Sequence, residues 1–212
     1  MKFNFDYWEP RASSVWNLFS EPKTIKAKEN GDLSETCKTF LNNIFLKEKY
    51  CFEKEQPFNK YFEKGKICEQ KAIELVNEVM YPNEFLIKNT VRKSNGYITG
   101  ECDNNEIRNT VIDTKCSWDL DTFHNCEVTK AYEIQLNCYG LLYNSSDLWL
   151  CYCLLNTPPQ LIKDYETCYD YESMIPKEQR LKAEKIKVIN NFESILIEKV
   201  NKARTYLNGI KL

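Results

Sequence analysis

The chain has 212 residues, enough for one domain with a substantial core and too few to require two. Hydrophobic residues make up 42% and charged residues 28%, a balance that excludes an intrinsically disordered or collagen-like chain. A formal net charge of −2 and a pI near 5.7 weigh against a surface uniformly basic for holding a polyanion; a site whose carboxylates are neutralised by metal ions remains compatible with them.

The opening MKFNFDYWEPR has no apolar run behind a basic start, and no segment approaches the roughly 18 apolar residues of a membrane span. We therefore expect a cytoplasmic protein that does not enter a membrane. The ten cysteines include no C-x₂-C pair, and Cys68, Cys138, Cys151 and Cys153 sit in periodic segments, where Cys acts as a small buried hydrophobe. Reduced thiols are the expectation.

In chain order, Ser13 or Ser14 caps a short helix over Val15–Phe19. The Lys-rich stretch Glu21–Gly31 reads as a loop. A second helix covers Leu33–Tyr50, with Leu33, Cys37, Phe40, Leu41, Ile44 and Phe45 at helical spacing, and a third runs from Asn59 to Met80, ending before Pro82. The period then changes. Phe85–Arg92 and Tyr97–Asp103 read as strands joined at Ser94-Asn95-Gly96, and Thr110–Cys116 as a third strand after a polar turn. A loop with Trp118, Asp119 and Asp121 leads to a helix over Val128–Tyr143. Asp147–Leu155 is a strand apolar enough to be buried on both faces. After Pro158-Pro159 and an irregular Asp164–Pro176, Lys177–Leu207 reads as one long amphipathic helix. The order predicts an α/β sandwich with a mixed central sheet, in a single domain over 1–212.

The chemistry concentrates in residues 100 to 118. Alternation along a strand puts Asp113 and Lys115 on one face, with Ile112 and Thr114 on the other. Burying Asp and Lys in an apolar strand costs on the order of several kcal/mol unless they are paired or metal-bound, so the pair is either a structural ion pair or a site. Asp103 supplies a second carboxylate if the hairpin turn centres near Arg108, or if a bulge intervenes; otherwise it is a turn aspartate.

These residues resemble the PD-(D/E)xK nuclease superfamily, with Gly100-x-x-Asp103 and then Asp113-Thr114-Lys115 in the places of its signature. Lys64-Gly65-x-x-Cys68-Glu69 is similar to the helix whose glutamate reaches the metal in the phage lambda exonuclease and RecB-like (YqaJ-type) branches. Gln135-x₃-Tyr139 is similar to the Gln and Tyr of those branches, and Arg11-Ala-Ser-Ser-Val-Trp to the Ser-containing segment that opens many phage-type members. The resemblance covers roughly residues 11 to 155 and implies a restriction-endonuclease-like αβββαβ core (about 57–156) with N-terminal helices and a long C-terminal helix (about 177–208).

It also implies roles. Glu69, Asp103, Asp113 and the Thr114 carbonyl would hold Mg²⁺, with Mn²⁺ able to substitute. Lys115 would orient and activate the attacking water, Gln135 would position Lys115 or a phosphate, and Tyr139, Ser13 and Ser14 would contact the substrate. The implied partner is DNA, linear duplex or single strand, with a homo-oligomer or a phage recombination protein as further partners. The implied activity is a phage- or mobile-element-type exonuclease; a non-catalytic DNA-binding protein on the same fold and a restriction-type endonuclease are the alternatives. An iron–sulfur cluster, held in some RecB-like nucleases by one early and three late cysteines, is not expected, because Cys37 or Cys51 with Cys151, Cys153 and Cys168 lacks the compact late spacing. The lone His124 argues against a multi-histidine zinc site, and the absence of G-x-x-x-x-G-K-[ST] against ATP hydrolysis. The basic face of the last helix (Lys182, Lys185, Lys187, Lys199, Lys202, Arg204) reads as a solvated face, with a DNA channel or an oligomer interface as alternatives.

Overall fold

A computed structural model describes residues 4–55, 57–105, 107–164 and 166–211. Parts of the opening segment, the expected hairpin turn and the irregular segment (Met1–Phe3, Glu106 and Tyr165) lie outside them. A 3₁₀ turn over Val15–Phe19 opens the fold, followed by α1 (Ile25–Glu29), α2 (Glu35–Tyr50) and α3 (Lys60–Met80). The caps explain the starts: the side chains of Thr24, Ser34 and Asn59 accept backbone N–H bonds from the first turns of α1, α2 and α3. Thr24 thus turns part of the expected Glu21–Gly31 loop into a helix. At Ser14 the side chain makes no such cap.

Next come the two-residue strands β1 (Lys93–Ser94) and β2 (Thr99–Gly100), then β3 (Thr110–Ser117), α4 (Leu120–His124), α5 (Lys130–Tyr143), β4 (Asp147–Leu154), α6 (Tyr171–Met174), β5 (Leu181–Ile186) and α7 (Phe192–Gly209). The main sheet has the order β3-β4-β5, with β3 parallel and β5 antiparallel to β4. It is therefore mixed, as the pattern predicts. Strand β4 alternates between two cores. Leu148, Leu150, Tyr152 and Leu154 join the core that α2, α5 and α7 share, whereas Cys151 and Cys153, with Leu155 just past the strand, join the core of α3. The two cysteines share one face and are buried there, as expected of small apolar side chains; the ten cysteines are free thiols. No helix among the described residues is long and apolar enough to cross a membrane.

Two expectations fail for tertiary reasons. The expected helix over 177–208 begins only at Phe192, and Leu181–Ile186 is a strand instead. Buried β4 has β3 on one edge, and its other edge would present unpaired N–H and C=O groups, so the segment pairs there from Leu148↔Ile186 to Cys153↔Leu181. Buried Asn137 of α5 fixes the turn that follows, donating to the Lys187 carbonyl (3.2 Å) and accepting the Ile189 N–H (2.8 Å). The expected strand Phe85–Arg92 does not form, β1 lying just beyond it, and Tyr97–Asp103 shrinks to β2. Side chains take up the backbone groups that a ladder would have used. Asn77 accepts from Leu86 N–H, Asn104 donates to the Ile87 carbonyl (2.6 Å), and Tyr143 donates to the Val91 carbonyl (2.6 Å).

Candidate active site

The site lies along the edge of β3 that does not face β4. Val111, Asp113 and Lys115 face α5, while Ile112, Thr114 and Cys116 share the face toward α3. The expected alternation therefore holds. The Lys115 ammonium pairs with Asp113 Oδ2 and lies 5.2 Å from the centroid of the Tyr132 ring. Burial pulls this ammonium down, but Asp113 and Asp103 outweigh it and hold it above the ordinary lysine value. Gln135 Nε2 reaches both Asp113 Oδ1 (3.3 Å) and the Tyr139 hydroxyl (3.1 Å). Gln135 thus touches Asp113 rather than Lys115. Burial pushes the Tyr139 phenol up, so it stays neutral.

The hairpin brings in Asp103. Asn104 and Ile112 exchange both backbone bonds (3.2 and 2.9 Å), which centres the turn on Arg108; Arg108 and Asn109 adopt the left-handed conformation there, at φ 51° and 56°. One step farther from the turn, Asp103 lies across from Asp113. Its Oδ2 accepts from both Thr114 N–H (2.6 Å) and Thr114 Oγ1 (2.7 Å). The carboxylate thereby replaces the next rung of the ladder, whose other half, the Cys102 carbonyl, is taken by Asn89 Nδ2 (2.9 Å). A strand residue's N–H and C=O leave on the same side, so the Thr114 carbonyl also faces this open edge. Burial and the charge of Asp113 push the Asp103 carboxyl up to about 7, against the opposing pull of Lys115 and the Thr114 bonds.

The other expected residues divide. Glu69, on α3, comes from the opposite face of β3, and its Oε2 is paired with Lys88 Nζ at 2.6 Å. Ser13 is exposed, and Ser14 Oγ bonds the Arg11 carbonyl (3.1 Å). Their turn is docked on β2, with Ala12 N–H donating to the Thr99 carbonyl (2.8 Å) and Thr99 N–H to the Pro10 carbonyl (3.0 Å). Gly100 explains the packing behind Asp103. A Cβ there would lie 2.8 Å from Tyr139 Cε1, 3.0 Å from Ala12 Cβ and 3.1 Å from Leu142 Cδ1.

Two lysines escape the sequence reading. Lys88 is one position of an expected strand, with no local signal of its partner. Lys64 entered only as part of a motif, yet it is 0% exposed, and its ammonium donates to the Trp118 carbonyl, the Leu155 carbonyl and Thr157 Oγ1, each at 2.8 Å. It ties α3 to the ends of β3 and β4. A lysine inside an amphipathic helix carries no local signal that its partners will be main-chain carbonyls.

Hard oxygen donors meet at the β3 edge: the carboxylates of Asp103 and Asp113 and the Thr114 carbonyl. Apart from the Lys115 ammonium, buried Asp113 Oδ2 has no hydrogen-bond partner among the described residues. Two facing carboxylates, one held up near 7, are short of positive charge. The set fits Mg²⁺ or Mn²⁺, ions that need one or two carboxylates and keep several waters. Among the described residues no three His, Cys, Asp or Glu side chains converge as a metal cluster, and Glu69 is paired with Lys88.

Among solved structures, a phage related exonuclease from Haemophilus somnus 129PT superposes with a TM-score of 0.81 at 30% identity, over 95% of this chain and 94% of that one. This chain belongs to the phage-type exonucleases of the PD-(D/E)xK superfamily. An alkaline exonuclease (LHK-Exo) from Laribacter hongkongensis shares the fold at a TM-score of 0.63 and 10% identity, over 95% and 89% of the two chains. Its complex with dAMP matches at a TM-score of 0.62 and the same identity. No family model and no curated protein sequence matches the chain. A phage-type exonuclease thus carries its Asp…Asp-x-Lys residues on an edge strand and the hairpin beside it.

Proposed function

We propose that this family member is a divalent-metal-dependent DNA exonuclease that hydrolyses phosphodiester bonds at the ends of linear duplex or single-stranded DNA, in recombination, replication or end processing of a phage or mobile element. The observation that carries the reading is Asp103 set across the hairpin from Asp113, with Lys115 one alternation farther along β3. The relative from Haemophilus somnus supports the exonuclease activity, and the dAMP complex of LHK-Exo supports DNA as the substrate.

When bound, Mg²⁺ or Mn²⁺ supplies Lewis acidity to the scissile phosphate and its attacking water. Asp103, Asp113 and the Thr114 carbonyl would hold it. Glu69 would join them, directly or through water, on leaving Lys88. The Lys115 ammonium orients the attacking water and stabilises negative charge as it develops on the phosphate. Gln135 fixes the Asp113 carboxylate by its Oδ1 and is itself set by Tyr139, while Ser13 and Ser14 contact the substrate backbone.

The test uses end-labelled linear duplex, single strand and covalently closed circle, each with Mg²⁺, Mn²⁺ or EDTA. Linear substrates should shorten from their ends with metal, and Asp113→Ala or Lys115→Ala should abolish this while leaving the fold intact. Cleavage that persists in EDTA or in either variant would overturn the assignment, and linearisation of the closed circle would make the protein an endonuclease.

A further inference from the structure

Lys88 is placed by three separate hydrogen bonds around it. Asn77, two helical turns beyond Glu69 on α3, accepts the Leu86 N–H; Asn104 donates to the Ile87 carbonyl (2.6 Å); and Asn89 N–H donates to the Asp103 carbonyl (2.8 Å). The helix that carries Glu69 and the hairpin that carries Asp103 therefore clamp the same short segment between them. Its lysine reaches Glu69 Oε2 at 2.6 Å, with both side chains about one-third exposed, and the charges of Asp103 and Glu101 also act on it. A lone surface ion pair needs no such scaffold.

We propose that Lys88 is an internal counter-ion of the metal site: it holds Glu69 when no divalent cation is present and competes with that cation for the Glu69 carboxylate. The proposal rests on the metal-dependent reading above. It explains why Glu69, the one expected ligand on α3, is paired with a lysine and forms no metal cluster with the two aspartates among the described residues. Lys88 acts through Glu69 and is a positioning residue, which sets how tightly the cation is held. Once Glu69 is drawn to the cation, the lysine is left beside the site as a free positive charge, suited to a phosphate.

Calorimetric titration of the full chain with Mn²⁺ tests this without any turnover. Removing the competing charge in Lys88→Met should tighten Mn²⁺ binding roughly fivefold, the scale of one partly exposed charge interaction. Lys88→Arg, which keeps the charge, should bind within about twofold of the parent. In a Glu69→Gln background the Lys88→Met gain should largely vanish, because no carboxylate remains to compete for. Unchanged or weaker binding by Lys88→Met, or an equal gain with and without Glu69, overturns the proposal while leaving the nuclease reading intact. A parent chain that binds no Mn²⁺ removes both.

Discussion

Replacing Asp103 by asparagine keeps an oxygen for the two Thr114 bonds and removes a negative charge that faces Asp113. Burial and Asp113 raise the Asp103 carboxyl from an ordinary 3.8 to about 7 in the folded chain. The folded protein therefore keeps this proton until about pH 7, whereas the unfolded chain releases it near pH 4. Raising the pH through that window favours unfolding of the parent and leaves Asp103→Asn indifferent. At ~1.4 kcal/mol per unit the whole shift corresponds to about 4 kcal/mol. Asp103 keeps a partly exposed face, so solvent screening reduces this to about half. In urea unfolding with EDTA, the stability of Asp103→Asn relative to the parent should therefore grow by about 1–2 kcal/mol between pH 5 and pH 8. The same variant should lose cleavage, trading activity for stability. A stability difference that stays flat or narrows as pH rises would refute the picture of two facing, uncompensated carboxylates.

Lys64→Met keeps the buried stem but leaves the Trp118 and Leu155 carbonyls and Thr157 without their donor; urea unfolding should show a loss of about 2–4 kcal/mol, and a loss below about 1 would mean the ammonium is dispensable. Gly100→Ala forces a methyl group against Tyr139, Ala12 and Leu142, so it should cost about 1–3 kcal/mol and also lower cleavage, because Tyr139 contacts Gln135. Stability equal to the parent's would show that those side chains move aside freely. Adding Mn²⁺ at about a hundredfold excess over its Kd should raise the unfolding free energy by about 2.7 kcal/mol, and Asp113→Asn should abolish most of that gain. A gain of the same size in the variant would place the cation elsewhere.

The periodic pattern by itself determined the long elements. Leu41 and Phe45 on α2, Ile73 and Val76 on α3, and the apolar run of β4 report burial through local spacing alone. The shared face of Asp113 and Lys115 is equally local, since alternation is a property of any strand. Where local and tertiary demands diverge, periodicity fails. Leu181–Ile186 has an amphipathic spacing that a helix can use, but the open edge of β4 claims it. Around Phe85–Arg92, Asn77, Asn104 and Tyr143 supply hydrogen bonds that a propensity cannot foresee.

For the site, the resemblance to the nuclease family singles out Asp103, Asp113, Lys115 and Gln135 as candidates. What only the tertiary structure decided is who faces whom. The turn at Arg108 puts Asp103 across from Asp113, Gln135 meets the aspartate and not the lysine, and Glu69 meets Lys88, nineteen residues away. The physical reason is range: alternation and capping act between neighbours in sequence, while charge pairs and hydrogen bonds are settled by whichever partner the packing of α3, the hairpin and α5 brings within about 3 Å.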